Sequence, residues 1–253
     1  MEKVSKNNYR NFISWAKANP ANMVYPCSIA EGFQSGDIYV NDISKVESVF
    51  FWHYCGFGYI SGKASDKLMH DIYSEMISSH DGRRLVLITS DDDVISYFRD
   101  KDVLMDSRTE YSYHHRGCTW EIERSAFQVE PIDRENVSKI EGRIIPSFSW
   151  ESSERFLKQG FGYIAHDHGR VCAVAFSAAV SSSEIDIGVE TKEEYRRMGL
   201  ASALANRMCE HIIGIGKKPV WAHSISNRGS MNTALNCGFI QDRINTVIKK
   251  KDI

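Results

Sequence analysis

The sequence predicts an α/β protein with a mixed central sheet in its second half and a smaller α/β part ahead of it. Three observations carry this. Short apolar or alternating runs are bounded by Gly, Pro and Asp, as strands are, for example Arg84–Thr89 and Glu184–Thr191. Other stretches place apolar residues every three or four positions, as helices do, most clearly Leu200–Ile215. Five prolines in 253 residues, with no low-complexity tract, argue for continuous folded structure.

Taken in order, Tyr9–Ala18 is expected to be helical and Asp37–Val40 strand-like. The run Val49–Tyr54 fits helix or strand by periodicity alone. Lys67–Ser78 carries Leu68, Ile72 and Met76 on one helix face. Arg84–Thr89 is a strand, Asp92–Arg99 a helix and Tyr111–Tyr113 a short strand. Phe127–Ile132 is a strand ending near Pro131, and Asp133 is expected to cap a helix over Arg134–Ile145. Ser152–Gln159 is another helix. Phe161–His166 and Val171–Ala179 are strands joined by the hairpin turn Asp167-His168-Gly169-Arg170. Glu184–Thr191 is a strand by strict alternation. Leu200, Leu204, Met208, Ile212 and Ile215 form the buried stripe of the helix that follows. Strand Val220–Ile225, helix Ser230–Asn236 and two strands near Phe239–Asp242 and Thr246–Lys249 complete the chain. Phe-Gly-Tyr-Ile occurs at 57–60 and again at 161–164, a weak sign of internal duplication.

Bulk properties exclude several classes. A net charge of −2 gives no general attraction to nucleic acid or anionic membrane. No stretch reaches the ~18 apolar residues of a membrane span, and the charged start Met1–Lys6 is unlike a signal segment. A cytoplasmic protein is the simplest expectation. The six cysteines are scattered with no Cys-x-x-Cys pair and are expected to be reduced core thiols, so no metal is expected. His114 and His115 would point to opposite faces of a strand and could not share one. The glycines of Gly56–Gly62 superficially suggest a dinucleotide turn, but their spacing is wrong and the segment suits a strand.

The turn Arg196-Arg197-Met198-Gly199-Leu200-Ala201-Ser202 stands between a strand and an amphipathic helix. Its small residues allow a ligand to approach the backbone, and a helix start offers N–H groups and a positive dipole end suited to pyrophosphate. A plain helix start with solvated arginines would look the same in isolation.

In context the second half resembles the GNAT acetyltransferase superfamily. Arg196-x-x-Gly199-x-Ala201 matches its acyl-CoA motif, and Asn227-x-x-Ser230 followed by Gly238-Phe239 matches a second signature. The whole-chain layout, with Trp52-His53-Tyr54-Cys55-Gly56, is similar to the bacterial family that includes the zwittermicin resistance acetyltransferase. The resemblance implies a GNAT domain over 125–253, with 1–124 as a degenerate half of that fold, a lid or an acceptor pocket. It implies that acyl-CoA lies along Val189 and Thr191, with the Val189 N–H on the thioester carbonyl. The N–H groups of Arg197–Ser202 would hold the pyrophosphate, and Asn227 and Ser230 would flank the CoA arm. Val189 also reads as a core strand residue, and Asn227 as a helix start.

The proton chemistry is less defined. The tyrosine usual in the superfamily corresponds to Ala234, and a frequent glutamate site to Ile185. The remaining candidates are Glu184, Asp186 and His223. The two carboxylates alternate to the face opposite Ile185 and read first as surface or edge groups, and a lone strand histidine such as His223 is more often structural. The resemblance implies N-acetyltransferase activity with acetyl-CoA as co-substrate and a small-molecule amine as acceptor, an antibiotic-like one among the options. The alternative is a non-catalytic acyl-CoA-binding module in a sensing or interaction role.

Overall fold

A computed structural model describes residues 1–78, 82–114 and 127–251. The chain divides into two compact units, Met1–Arg108 with Ile244–Ile253, and Thr109–Arg243. The expected boundary at 124/125, like Cys118 and His115, lies outside the described residues.

The first unit opens with strand β1 (Glu2–Lys3), a 3-10 turn and helices α1 (Ile13–Lys17) and α2 (Val24–Ala30). Strands β2 (Gly36–Val40), β3 (Ser48–His53) and β4 (Phe57–Gly62) then form an antiparallel meander. Helix α3 (Asp66–Ser78) crosses to β5 (Val86–Thr89), which runs parallel to β4. Helix α4 (Asp92–Arg99) and strand β6 (Val103–Tyr113) follow. Of Val49–Tyr54, all but Tyr54, which begins the turn, is therefore strand, and so is the glycine-bearing segment 57–62. Leu68, Ile72 and Met76 are buried together with Phe50, Trp52, Leu87 and Phe98. Packing of that face is what makes α3 a helix, as its spacing predicted.

The second unit contains β7 (Gln128–Pro131), α5 (Ser153–Gln159), β8 (Gly162–Asp167), β9 (Arg170–Val180) and β10 (Glu184–Thr191). Helix α6 (Leu200–Gly214), β11 (Lys218–Ser224), α7 (Arg228–Asn236) and β12 (Phe239–Lys250) complete it, the last residues of β12 belonging to the first unit. The β8–β9 hairpin turns on His168 (φ 47°) and Gly169 (φ 81°), both left-handed as a type I′ turn requires.

Each unit has the same order: an edge strand, an antiparallel three-strand run, a β–α–β crossover to a parallel strand, a helix and a final strand. The final strands are exchanged. Residues 246–249 of β12 pair with β5 in the first unit, and the 109–113 part of β6 lies next to β11 in the second. The duplication is thus in topology. The repeated tetrapeptide does not mark it, since 57–60 falls on β4 and 161–164 on β8, which occupy different places in that order.

Four expectations need correction. No α-helix spans Arg134–Ile145. Asp133 does cap, accepting from the N–H groups of Glu135 (2.8 Å) and Asn136 (3.0 Å), but only 3-10 turns follow at Val137–Lys139 and Pro146–Phe148. Gly142 at φ 145° and the extended Ile145 that Pro146 demands break the helical path. Ile215 leaves the stripe of α6 and is 49% exposed, whereas Leu200, Leu204, Met208 and Ile212 are buried. The two C-terminal strands are one, β12, and the short strand at Tyr111 is the end of the eleven-residue β6.

No helix among the described residues is long and apolar enough to cross a membrane. The five cysteines described are buried and form no disulfide with one another.

Candidate functional site

Strand β10 is paired with β9 from Ile185 to Thr191, but with β11 only at Glu184–Lys218, Ile185–Pro219 and Asp186–Val220. The β9–β10 register shifts at the same point, between Asp186 and Ile187, where Ala178 of β9 is the extra residue. Beyond Asp186 no further pair forms between β10 and β11, and the two strands part there. The stretch Ile187–Thr191 then presents an edge with no strand against it on the β11 side. Val189 and Thr191 lie on this stretch, and the Thr191 hydroxyl is buried without a hydrogen-bond partner among the described residues.

The turn to α6 closes over the end of β10, where Arg196 Nε donates to the Thr191 carbonyl at 3.4 Å. Arg197 (φ 64°) and Gly199 (φ 82°) are both left-handed. That is uncommon for arginine, and alternation of this kind turns successive N–H groups to one side, forming an anion-binding nest. Helices α4, α5 and α7 each begin on a side-chain cap, from Asp91, Ser152 and Asn227. Helix α6 begins on Gly199 with no side-chain cap. A methyl group built on Gly199 would meet no protein atom within 4 Å. Arg196, Arg197, Met198 and Gly199 are exposed, while Leu200 anchors the helix in the core and Ala201 and Ser202 are half-buried. The first N–H groups of α6 can therefore take an anion from solvent, which fits a pyrophosphate.

Asn227 and Ser230 come together, but first with each other. Asn227 Oδ1 accepts from Ser230 N–H at 3.0 Å as a helix cap, and Ser230 Oγ accepts from Trp221 Nε1 at 3.0 Å.

The three proton-transfer candidates are not brought together. Side chains two apart on a strand share a face. His223 therefore lies with Trp221, Pro219 and the paired Ile185, on the side where Trp221 reaches Ser230 of α7. Glu184 and Asp186 lie on the other side. Neither is a simple surface carboxylate. Asp186 is 4% exposed, and burial pushes the half-buried Glu184 above the usual carboxylate range, with Lys218 opposing. His223 is buried and partnered: Nδ1 is 2.8 Å from the Ser224 carbonyl and Nε2 is 3.1 Å from the Tyr111 hydroxyl. Tyr111 stacks on the imidazole at 5.2 Å. It was not singled out in the sequence, because nothing local ties β6 to a strand more than a hundred residues later. Ala234 is buried on α7 and offers no hydroxyl.

The first unit repeats the short parallel pairing, but its helix start is capped. Strands β4 and β5 pair only at Phe57–Val86 and Gly58–Leu87. The buried Asn19 amide then donates to the Ile60 carbonyl and Ser61 Oγ, both at 2.9 Å, and so occupies the corresponding stretch. Helix α3 starts with Ser65 Oγ accepting from Leu68 N–H at 3.2 Å, and Asp66 places a carboxylate in its first turn. Among the described residues, no cluster of three or more His, Cys, Asp or Glu side chains could hold a metal ion.

The model of the GNAT acetyltransferase family matches residues 16–248, and the chain belongs to that family. A curated relative, the uncharacterised N-acetyltransferase YdfB of Bacillus subtilis, is 25% identical over 222 residues, 84% of either chain. Among solved structures, a GCN5-related N-acetyltransferase-like protein from Streptococcus suis superimposes with a TM-score of 0.72 at 21% identity, covering 98% of this chain and all of that one. A tandem GNAT protein from the clavulanic acid biosynthesis pathway reaches 0.66 at 8% identity, covering 98% and 96%. At these identities the two structures share the fold.

Proposed function

We propose that this chain transfers an acetyl group from acetyl-CoA to the amine of a small molecule. In this reading one acyl-CoA lies in the second unit, and the first unit is a degenerate half that keeps the fold without the cofactor site. The observation that carries it is the start of α6, uncapped, glycine-led and open to solvent directly beyond the splay of β10 and β11. The N–H groups from Arg197 to Ser202 would hold the pyrophosphate, with Arg196 and Arg197 adding positive charge. The open edge at Val189 and Thr191 would pair with pantetheine as an added strand, and the Val189 N–H would hold the thioester carbonyl. Acetyl-CoA supplies an activated acyl group, and the chain orients it. The sequence layout is similar to the bacterial family that includes the zwittermicin resistance acetyltransferase, so an antibiotic-like amine belongs among the acceptors tested.

A second reading, an acyl-CoA-binding module without turnover, is favoured by the absence of a hydroxyl at Ala234 and of a carboxylate at Ile185. The deciding experiment incubates the protein with acetyl-CoA and a panel of spermidine, glucosamine, lysine and aminoglycosides. Acetylated amine and free CoA thiol in equal amounts are expected. A CoA-induced thermal shift with no product from any amine would favour the second reading, and the absence of both would overturn the two together.

A further inference from the structure

We propose that Tyr111 and His223 form the proton relay of acyl transfer, with Tyr111 meeting the acceptor nitrogen and His223 standing behind it. This rests on the acyl-CoA reading of the second unit.

The hydrogen bonds fix a direction. The Ser224 carbonyl can only accept, so His223 Nδ1, 2.8 Å away, carries the proton. Nε2 is then an acceptor, and the Tyr111 hydroxyl at 3.1 Å must donate to it. The phenol oxygen keeps its lone pairs for a further donor. An amine nitrogen placed there would complete a chain from N–H to Tyr111 oxygen to His223 Nε2. The 28° stacking of the two rings holds both in register.

The location fits. His223 is three residues beyond Val220, the last residue of β11 to pair with β10, and so lies along the splayed part. Tyr111 reaches it from β6, the neighbour of β11 on the side away from β10. Both occupy the sheet face that α7 covers through the Trp221–Ser230 bond. Ile185 is on that same face, and Ala234 is buried on α7. The two positions that lack the family's usual acid and base thus belong to the face that carries this pair. Glu184 and Asp186 are on the other side. Burial also raises the Tyr111 pKa, so the phenol holds its proton at neutral pH and passes it on only as another arrives.

The step balances within the pair. The neutral amine nitrogen attacks the thioester carbon, forming the C–N bond and moving the carbonyl π pair onto oxygen. The excess proton on nitrogen passes to the Tyr111 oxygen as the phenol proton passes to His223 Nε2. The carbonyl then re-forms, the C–S bond breaks and its electron pair stays on sulfur. The imidazolium returns its proton through Tyr111 to the thiolate. One proton has moved from nitrogen to sulfur, and both side chains are restored.

The test compares wild type, Tyr111→Phe and His223→Gln, using CoA as the binding probe and acetyl-CoA with the best amine of the panel as substrates. Tyr111→Phe keeps the ring and removes only the hydroxyl. Both variants are expected to bind CoA within about threefold of wild type, keep the acetyl-CoA KM and lose about a hundredfold or more in kcat. A loss of packing alone would not separate kcat from KM in this way. Retention of kcat within twofold in Tyr111→Phe, with CoA still bound, would overturn the relay and leave the acyl-CoA reading standing. Failure of wild type itself to bind CoA would overturn both.

Discussion

His53, at the end of β3, has no solvent exposure. The Cys55 N–H donates to its Nδ1 at 3.2 Å, which leaves the ring proton on Nε2, where no hydrogen-bond partner is found among the described residues. The ring stands perpendicular to Tyr25 at 5.1 Å. Burial, with a smaller contribution from the Arg83 charge, depresses its pKa from 6.5 to about 3. Between those values the unfolded chain binds a proton that the folded chain refuses. The stabilisation is therefore complete above about pH 6.5 and is lost as pH falls toward 3. At pH 5 the loss is ~2 kcal/mol from this residue alone. Urea unfolding at pH 7 and pH 5 should show that loss in wild type and a much smaller one in His53→Gln. Equal losses in the two proteins would contradict the assignment. Nothing in the sequence marked His53 for this behaviour, since its burial comes from strands paired on both sides.

Among the elements, those with a strong local signal were legible from sequence. The alternation of Glu184–Thr191 and the stripe beginning at Leu200 gave β10 and α6 almost to the residue. The Asn227 cap is equally local, and its side chain does bond the N–H of Ser230. Asn227→Ala should cost ~1 kcal/mol in unfolding free energy, as loss of a helix cap does. A variant as stable as wild type would show that the cap contributes nothing. The failures have equally physical reasons. Over Arg134–Ile145 the cap at Asp133 is present, but Gly142 and Pro146 impose dihedrals a helix cannot use. The middle of β12 is polar and exposed, so one strand reads as two, and its pairing partners lie far away in the chain.

At the scale of the whole molecule, two units share one topology and differ where a cofactor would sit. The sequence showed the turn at Arg196–Ser202 and its setting between strand and helix. It could not show that the first unit repeats the topology, because the element order is kept while the side chains have changed. There, Asn19 fills the splay, and Ser65 and Asp66 close the start of α3 to an anion. In the second unit the same places are an open β10 edge and a bare glycine. Nor could the sequence show the strand exchange that brings Tyr111 beside His223. We propose that one acyl-CoA binds per chain, at the start of α6. Calorimetric titration with CoA tests it most directly, using wild type and Gly199→Val, whose added side chain would occupy the space beside the first N–H groups and strain a left-handed backbone by ~1–2 kcal/mol. One CoA per wild-type chain, and none bound by a folded Gly199→Val, is the expected result. Two CoA molecules per chain, or undiminished binding to the variant, would contradict it.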